Sequence, residues 1–376
     1  MAPVFFSTRY EACKAVLRDP RFGKGEDRPR ERSGGSDSLF GPPLPPVEDR
    51  GRAPSMLFLD PPDHTRLRGL VSRGFTPRRV EALRPAVEAM TDAMLDDWAA
   101  RGEADVLDVL GFPLPVQVIG ELVGVPPEDR GPFRTIVRDA AAALEPGLTE
   151  AKLAAALEAD EHLHAYFDQL ITARRSDPRD DLTSALIAAQ DDTGDGEPER
   201  LSHEEMISTL IIIFAAGFET TTNLIGNGLA TLLTHPGELA RLRAEPSLLP
   251  AAIEEILRFE SPVQVDARSA LVDADVAGEP VPEGQLVVTF LGAANRDPEV
   301  FADPETFRIV ERDTPVLSFA SGIHHCLGAS LARLEGQVVF GRLLDRFATL
   351  ELLDDEPAWR STLVLRGLDH LHVRAA

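Results

Sequence analysis

The sequence predicts a mainly α protein with small β-sheets, a single large domain over residues 1–376 built around one long central helix. Three observations predict it. From Asp63 to Leu233 apolar residues recur at the three- and four-residue spacing of helices that bury one face, and the runs are broken by Pro126-Pro127, Glu145-Pro146-Gly147 and Ser176-Asp177-Pro178. The stretch Ser202–Leu233 is the most apolar in the chain and opens with Ser202-His203-Glu204-Glu205, the spacing of a capping box. Strand-like pieces are short and sit towards the two ends, so any sheet is small, and no linker separates independent cores.

Taken in order, Val4–Thr8 reads as a short strand, and Thr8 with Glu11 as a capping box before a helix at Tyr10–Arg18. From Gly23 to Pro54 the chain is rich in Gly, Pro, Ser and charge without a period. So long a stretch is disordered or a functional lid. Helices are expected at Asp63–Phe75, Arg79–Ala100, Val116–Val123, Pro127–Ala143, Thr149–Arg175, Asp181–Gln190 and Ser202–Leu233. Past Pro250 follow one more helix, Ala251–Phe259, strands at Asp266–Leu271 and Gln285–Phe290, and an irregular run to Ile323. A long helix at Leu327–Arg346 and strands at Thr362–Leu365 and Leu371–Val373 close the chain.

Lys plus Arg number 38 against 62 Asp plus Glu, a formal net charge of −24. Such an envelope repels phosphate backbones and anionic headgroups, which argues against nucleic acid and against a polybasic membrane patch. Hydrophobic residues at 43% and charged residues at 27% suit a chain that buries a large core. The two cysteines, Cys13 and Cys326, form no disulfide framework and point to a reducing, cytoplasmic setting. No signal peptide is visible at the start. The apolar core of Ser202–Leu233 is interrupted by Glu219, Asn223 and Asn227, so a helix buried in protein is expected rather than a membrane span.

Chemistry concentrates at Cys326, at the mouth of the last helix, where unpaired N–H groups and the helix dipole favour a thiolate and a lowered pKa. Gly322 and Gly328 flank it and let another body approach closely. Zinc is a poor fit, because one cysteine and the adjacent His324 and His325 cannot converge tetrahedrally. The residues alone leave a buried helix-start cysteine and a ligand equally open. The string Phe319-Ala-Ser-Gly-Ile-His-His-Cys-Leu-Gly328 resembles the haem-binding loop of the cytochrome P450 family, with Ala320 where that pattern has glycine. Glu255-Ile-Leu-Arg258 resembles the family's Glu-x-x-Arg helix. On pattern alone that pair lies opposite the stripe of Ile253, Ile256 and Leu257, as a solvated pair would. Ala216-Gly-Phe-Glu-Thr220 looks like its oxygen-activating segment. Leu59 to Arg68 is similar to the opening of its helix beneath the haem edge. The likeness runs from about Val4 to the C-terminus. It departs at the start, where the family carries a further helix and strand, so either the N-terminus is shorter than usual or the true start lies upstream.

The resemblance implies the cytochrome P450 fold and haem b (iron protoporphyrin IX), with Cys326 as iron ligand and His64, Arg68, Arg268 and His324 around the propionates. Glu219 and Thr220 would deliver protons to bound dioxygen, Gly217 and Thr220 would loosen the helix there, and Glu255–Arg258 would be scaffold. The function implied is a haem-thiolate monooxygenase that hydroxylates or epoxidises a lipophilic small molecule, in secondary metabolite biosynthesis. No flavin or nicotinamide segment is visible, so electrons are expected from a ferredoxin and its reductase, docking at Arg66, Arg73, Arg333 and Arg342. Pocket walls are expected from Gly23–Met56, Ala140–Leu170, Ala215, Ala216, Val263–Val265 and Leu363-Val364. The rival readings are a non-catalytic haem sensor or carrier and a helical ligand-binding protein without cofactor.

Overall fold

A computed structural model describes residues 4–24, 51–191 and 201–376. The chain begins with β1 (Phe5–Ser7), α1 (Tyr10–Arg18) and β2 (Phe22–Gly23). Most of the expected lid, 25–50, lies outside the described residues, as does 192–200. Then follow α2 (Asp63–Ser72), α3 (Pro77–Ala82), α4 (Arg84–Arg101), β3 (Glu103–Asp105), α5 (Pro113–Val123), α6 (Phe133–Ala141), α7 (Glu150–Ser176) and α8 (Leu182–Asp191). Two expected helices are each split by proline. Pro85 ends the α3 run and opens α4, while Gly131-Pro132 separates a short turn at Pro127–Asp129 from α6.

The spine is α9 (His203–Thr234), with the capping box in place: the Ser202 hydroxyl accepts from Glu205 N–H, and the Glu205 carboxylate accepts from Ser202 N–H. It is long and apolar enough to cross a membrane, yet it is mostly buried within the protein. On one side it packs in a cluster with Trp98, Leu114, Ile253 and Phe340, from α4, α5, α11 and α13. On the other it packs with Leu67, Val71, Ile119, Phe133, Phe167 and Leu170 from α2, α5, α6 and α7.

Beyond it come α10 (Pro236–Ala244) and α11 (Leu249–Phe259), then β4 (Val265–Ala270), β5 (Ala274–Val276), β6 (Glu279–Val281), β7 (Leu286–Phe290) and the one-turn α12 (Leu291–Ala294). The chain ends with α13 (Ala329–Arg346), β8 (Leu350–Leu352) and β9 (His372–Ala375). One sheet has the order β1-β7-β4-β2, with Phe5 paired in parallel to Val287 and Val265 antiparallel to Phe290; a second is β3-β9-β8 and a hairpin is β5-β6.

Two local expectations fail for instructive reasons. Thr8 does not cap α1. Arg9 holds that position without a side-chain bond, and Tyr10 N–H donates instead to Asp297 Oδ2 at 2.8 Å, from 287 residues away. Thr362–Leu365 is not a strand: only Leu365 makes an isolated bridge, to Val263, because the amides of Leu363, Val364 and Leu365 donate to the Glu145 carboxylate at 2.6–3.1 Å.

Candidate active site

Cys326 lies just before α13, whose first residue is Ala329. The residue is exposed although protein atoms crowd its sulfur, the combination expected on the wall of a cavity. Gly322 is needed here. Its φ is +72°, and a Cβ would stand 2.2 Å from the Leu17 carbonyl oxygen, so the loop is seated against the end of α1. Gly328 has nothing near its missing Cβ. Leu327 packs against the cluster that contains Leu67 and Val71 of α2 and Ile213 and Phe214 of α9, which fixes the cysteine between those helices. The expected lowered thiol pKa is not found. Burial pushes the thiol up and outweighs the Gly328 and Ala329 N–H groups, Arg68 and Arg333. A bound metal ion would reverse that balance, because a coordinating thiol is deprotonated outright.

The expected anion-binding residues converge. His64 and Arg68 are one turn apart on α2, and the His64 and His324 rings stand 4.2 Å apart between centroids. Arg68 Nη2 donates to the His325 carbonyl at 2.6 Å. Arg268 on β4 is buried, with Nη1 on Asp266 at 2.6 Å. Lys24, which sequence reasoning missed, donates to the same Asp266 oxygen at 2.8 Å. Burial raises Asp266, but Lys24 and Arg268 overcome it and hold the carboxyl at about 2. Burial, followed by Arg268, Lys24 and His64, pushes His324 down to about 3. Burial and then Arg68 lower His64.

The cluster is short of acceptors. His64 Nδ1, His324 Nε2 and Arg268 Nη2 are buried without a hydrogen-bond partner among the described residues, and each such orphan costs about 1–3 kcal/mol. Residues that hold surplus donors and positive charge next to an accessible thiol fit a flat, metal-bearing group with carboxylate arms. The donor set thus suits haem, with Cys326 on the iron and His64, Arg68, Arg268 and His324 at the propionates.

Across α9, Ala216 is exposed and Ala215 and Thr220 are half-buried in the middle of an otherwise buried helix, so this stretch faces open space. The helix is unbroken here. The Thr220 hydroxyl donates to the Ala216 carbonyl at 2.8 Å and Thr221 to Gly217 at 2.9 Å. Gly217 is explained by packing rather than by loosening, since a Cβ would meet Ile119 of α5 at 2.8 Å. Glu219 is buried and paired with Arg360 at 2.8 Å, and Arg360 also donates to Asn223. Arg360 carries no local motif, and only the fold brings it here.

Glu255 and Arg258 are buried rather than solvated, at 0% and 1% exposure. Their side chains pair at 2.8 and 2.9 Å. Arg258 also donates to the carbonyls of Asn295, Pro304 and Thr306, and Glu255 accepts from Arg308 N–H and Arg312. The pair thus holds the irregular run ahead of Cys326. Of the surface arginines expected to meet a partner, Arg66 pairs with Glu205 and Asp63, Arg333 with Glu254, and Arg342 with Glu88 and Asp92. Arg73 is exposed, as are its neighbours Arg78 and Arg79, and no ion pair engages these three among the described residues.

The family model for cytochrome P450 matches residues 148–366. Cytochrome P450 107B1 of Saccharopolyspora erythraea is 45% identical over 98% of this chain and 88% of its own length. The 6-deoxyerythronolide B hydroxylase of the same organism is 42% identical, over 98% and 89%. Among solved structures, P450BioI in complex with hexadec-9Z-enoic acid ligated acyl carrier protein superposes with a TM-score of 0.89 at 36% identity, covering 100% of this chain and 93% of that one.

Proposed function

Because this chain belongs to the cytochrome P450 family and is a P450 monooxygenase, we propose that it uses haem b to hydroxylate or epoxidise a lipophilic small molecule of secondary metabolism. One observation carries this reading: an accessible thiol beside buried polar nitrogens of His64, His324 and the cationic Arg268 that have no partner among the described residues. Haem, when bound, supplies dioxygen activation, and thiolate donation favours O–O cleavage. The chain does the rest. Cys326 would hold the iron through its sulfur, while His64 and His324 would hydrogen-bond the propionates and Arg68 and Arg268 would supply their countercharge. Thr220 presents its hydroxyl to the open face of α9, and Glu219 stands beside it as the buried acid, held in place by Arg360. The two are assigned to proton delivery.

For substrate, the relatives point to polyketide-like rings or fatty chains, since one is named a 6-deoxyerythronolide B hydroxylase and a solved neighbour holds hexadecenoyl acyl carrier protein. Ala215, Ala216, Val263, Leu363 and Val364 give a small, apolar lining suited to such a compound. The protein acts as a soluble cytoplasmic enzyme that receives electrons from a ferredoxin. Arg73, Arg78 and Arg79 offer the acidic partner its contact, because they are exposed and no ion pair engages them among the described residues. The test is the reduced carbonyl spectrum. The long-wavelength Soret band of thiolate-ligated haem is expected and is lost in Cys326→Ser; its absence in the wild type overturns the assignment. In Thr220→Ala electrons are lost to peroxide or water, and unchanged coupling removes Thr220 from the mechanism.

A further inference from the structure

Away from Cys326, the end of the second sheet carries a donor set that the monooxygenase chemistry does not use. Leu371 and Val373 are buried at 0% exposure, so the period-two alternation of an extended chain turns His370 and His372 to the same outer face. Their rings lie 4.9 Å apart between centroids. Asp354, just past β8, completes the set. Its Oδ1 is 2.9 Å from His372 Nδ1 and 4.0 Å from His370 Nε2, and one ligand atom from each residue lies within 4.8 Å of the others. The scaffold is fixed by backbone pairing: Asp354 Oδ2 accepts from His372 N–H at 2.9 Å, and Leu353 N–H donates to the His372 carbonyl at 2.9 Å.

We propose that Asp354, His370 and His372 form a binding site for a divalent transition metal of the Zn²⁺ type, distinct from the haem iron. Two imidazoles and one carboxylate suit Zn²⁺ at about 2.0–2.2 Å, with a fourth position left to water. They do not suit Ca²⁺ or Mg²⁺, which take oxygen shells. Asp354 and His370 sit at the two ends of the excursion that carries Arg360 to Glu219 and the amides of Leu363–Leu365 to Glu145. An ion here closes the base of that loop, and its binding energy adds to folding energy.

The test is calorimetric titration of chelator-stripped holoenzyme with ZnCl₂, with X-ray absorption at the zinc edge on the loaded protein. One saturable equivalent is expected, with a nitrogen and oxygen shell at about 2.0–2.1 Å. His370→Ala, His372→Ala and Asp354→Asn each weaken binding by about 100-fold, the upper end of what even an outer-shell loss costs. No saturable binding, an affinity unchanged in all three variants, or a sulfur shell at about 2.3 Å overturns the proposal. The absorption measurement needs no variant and decides the question if one fails to fold.

Discussion

Ala320 shows how one side chain both hides and reveals a motif. Its φ is +56° and its ψ −159°, a region close to glycine-only space, where a Cβ costs about 1–3 kcal/mol. The sequence already marked this position as the one departure from the haem-loop pattern, and the backbone explains why glycine is the usual residue. Ala320→Gly is therefore expected to raise the thermal midpoint without changing the carbonyl spectrum, as scanning calorimetry would read. Glu335 of α13 is a second residue out of keeping with its surroundings. It is buried, Oε2 has no partner among the described residues, and burial raises its carboxyl to about 8. The folded state thus holds a proton that the unfolded chain gives up above about pH 4.5. Stability is full below that pH and falls as pH rises towards 8, by up to about 1.4 kcal/mol per unit. Denaturant titrations at pH 5 and pH 8 should show this loss in the wild type, and Glu335→Gln should flatten it.

At the level of elements, the sequence was legible wherever structure follows from local period. Apart from the two helices that proline splits, α2, α5, α7, α8 and α9, the capping box at Ser202 and the strands β4 and β7 are placed within a few residues. It was illegible wherever a partner lies far along the chain. Glu255–Arg258 read as a surface pair because helical periodicity cannot show that the run from Asn295 to Arg312 folds over it. Glu145 read only as part of a turn signal between α6 and α7. In the fold its carboxylate takes three successive amides of the loop at Leu363–Leu365, joining two expected walls of the substrate pocket. Glu145→Ala returns those amides to water and frees the α6–α7 connection. Substrate release in stopped-flow spectral titrations is then expected to quicken by about tenfold, the equivalent of one net hydrogen bond of about 1.4 kcal/mol. An unchanged release rate would show that this clasp does not hold the pocket shut.

For the whole molecule, a net charge of −24 sets the field, and local pairing decides where a partner can touch. The candidate site follows the same logic. Cys326, His64, Arg68, Arg268 and His324 were singled out through the family resemblance, whereas Lys24, Asp266 and Arg360 were not, since their roles depend on charges brought together by distant elements. Internal counter-ions occupy Arg66, Arg333 and Arg342, leaving Arg73, Arg78 and Arg79 as a basic island. Reversing all three to glutamate should raise the KM for ferredoxin and flatten its salt dependence while leaving kcat with a peroxide donor unchanged; steady-state assays at low and high salt would read both.

The pairing of β1 with β7 has a further consequence, in time rather than in space. Phe5–Ser7 leaves the ribosome well before its hydrogen-bonding partner Val287–Thr289, which follows some 280 residues later, and the acceptor for the first amide of α1, Asp297, comes later still. At about 5–20 residues per second of synthesis, the amino-terminal strand waits on the order of 15–60 s with its edge unpaired. The cluster that α9 forms with α2, α5, α6 and α7 can assemble during that interval, and the loop that carries Cys326 is seated on α1 only afterwards.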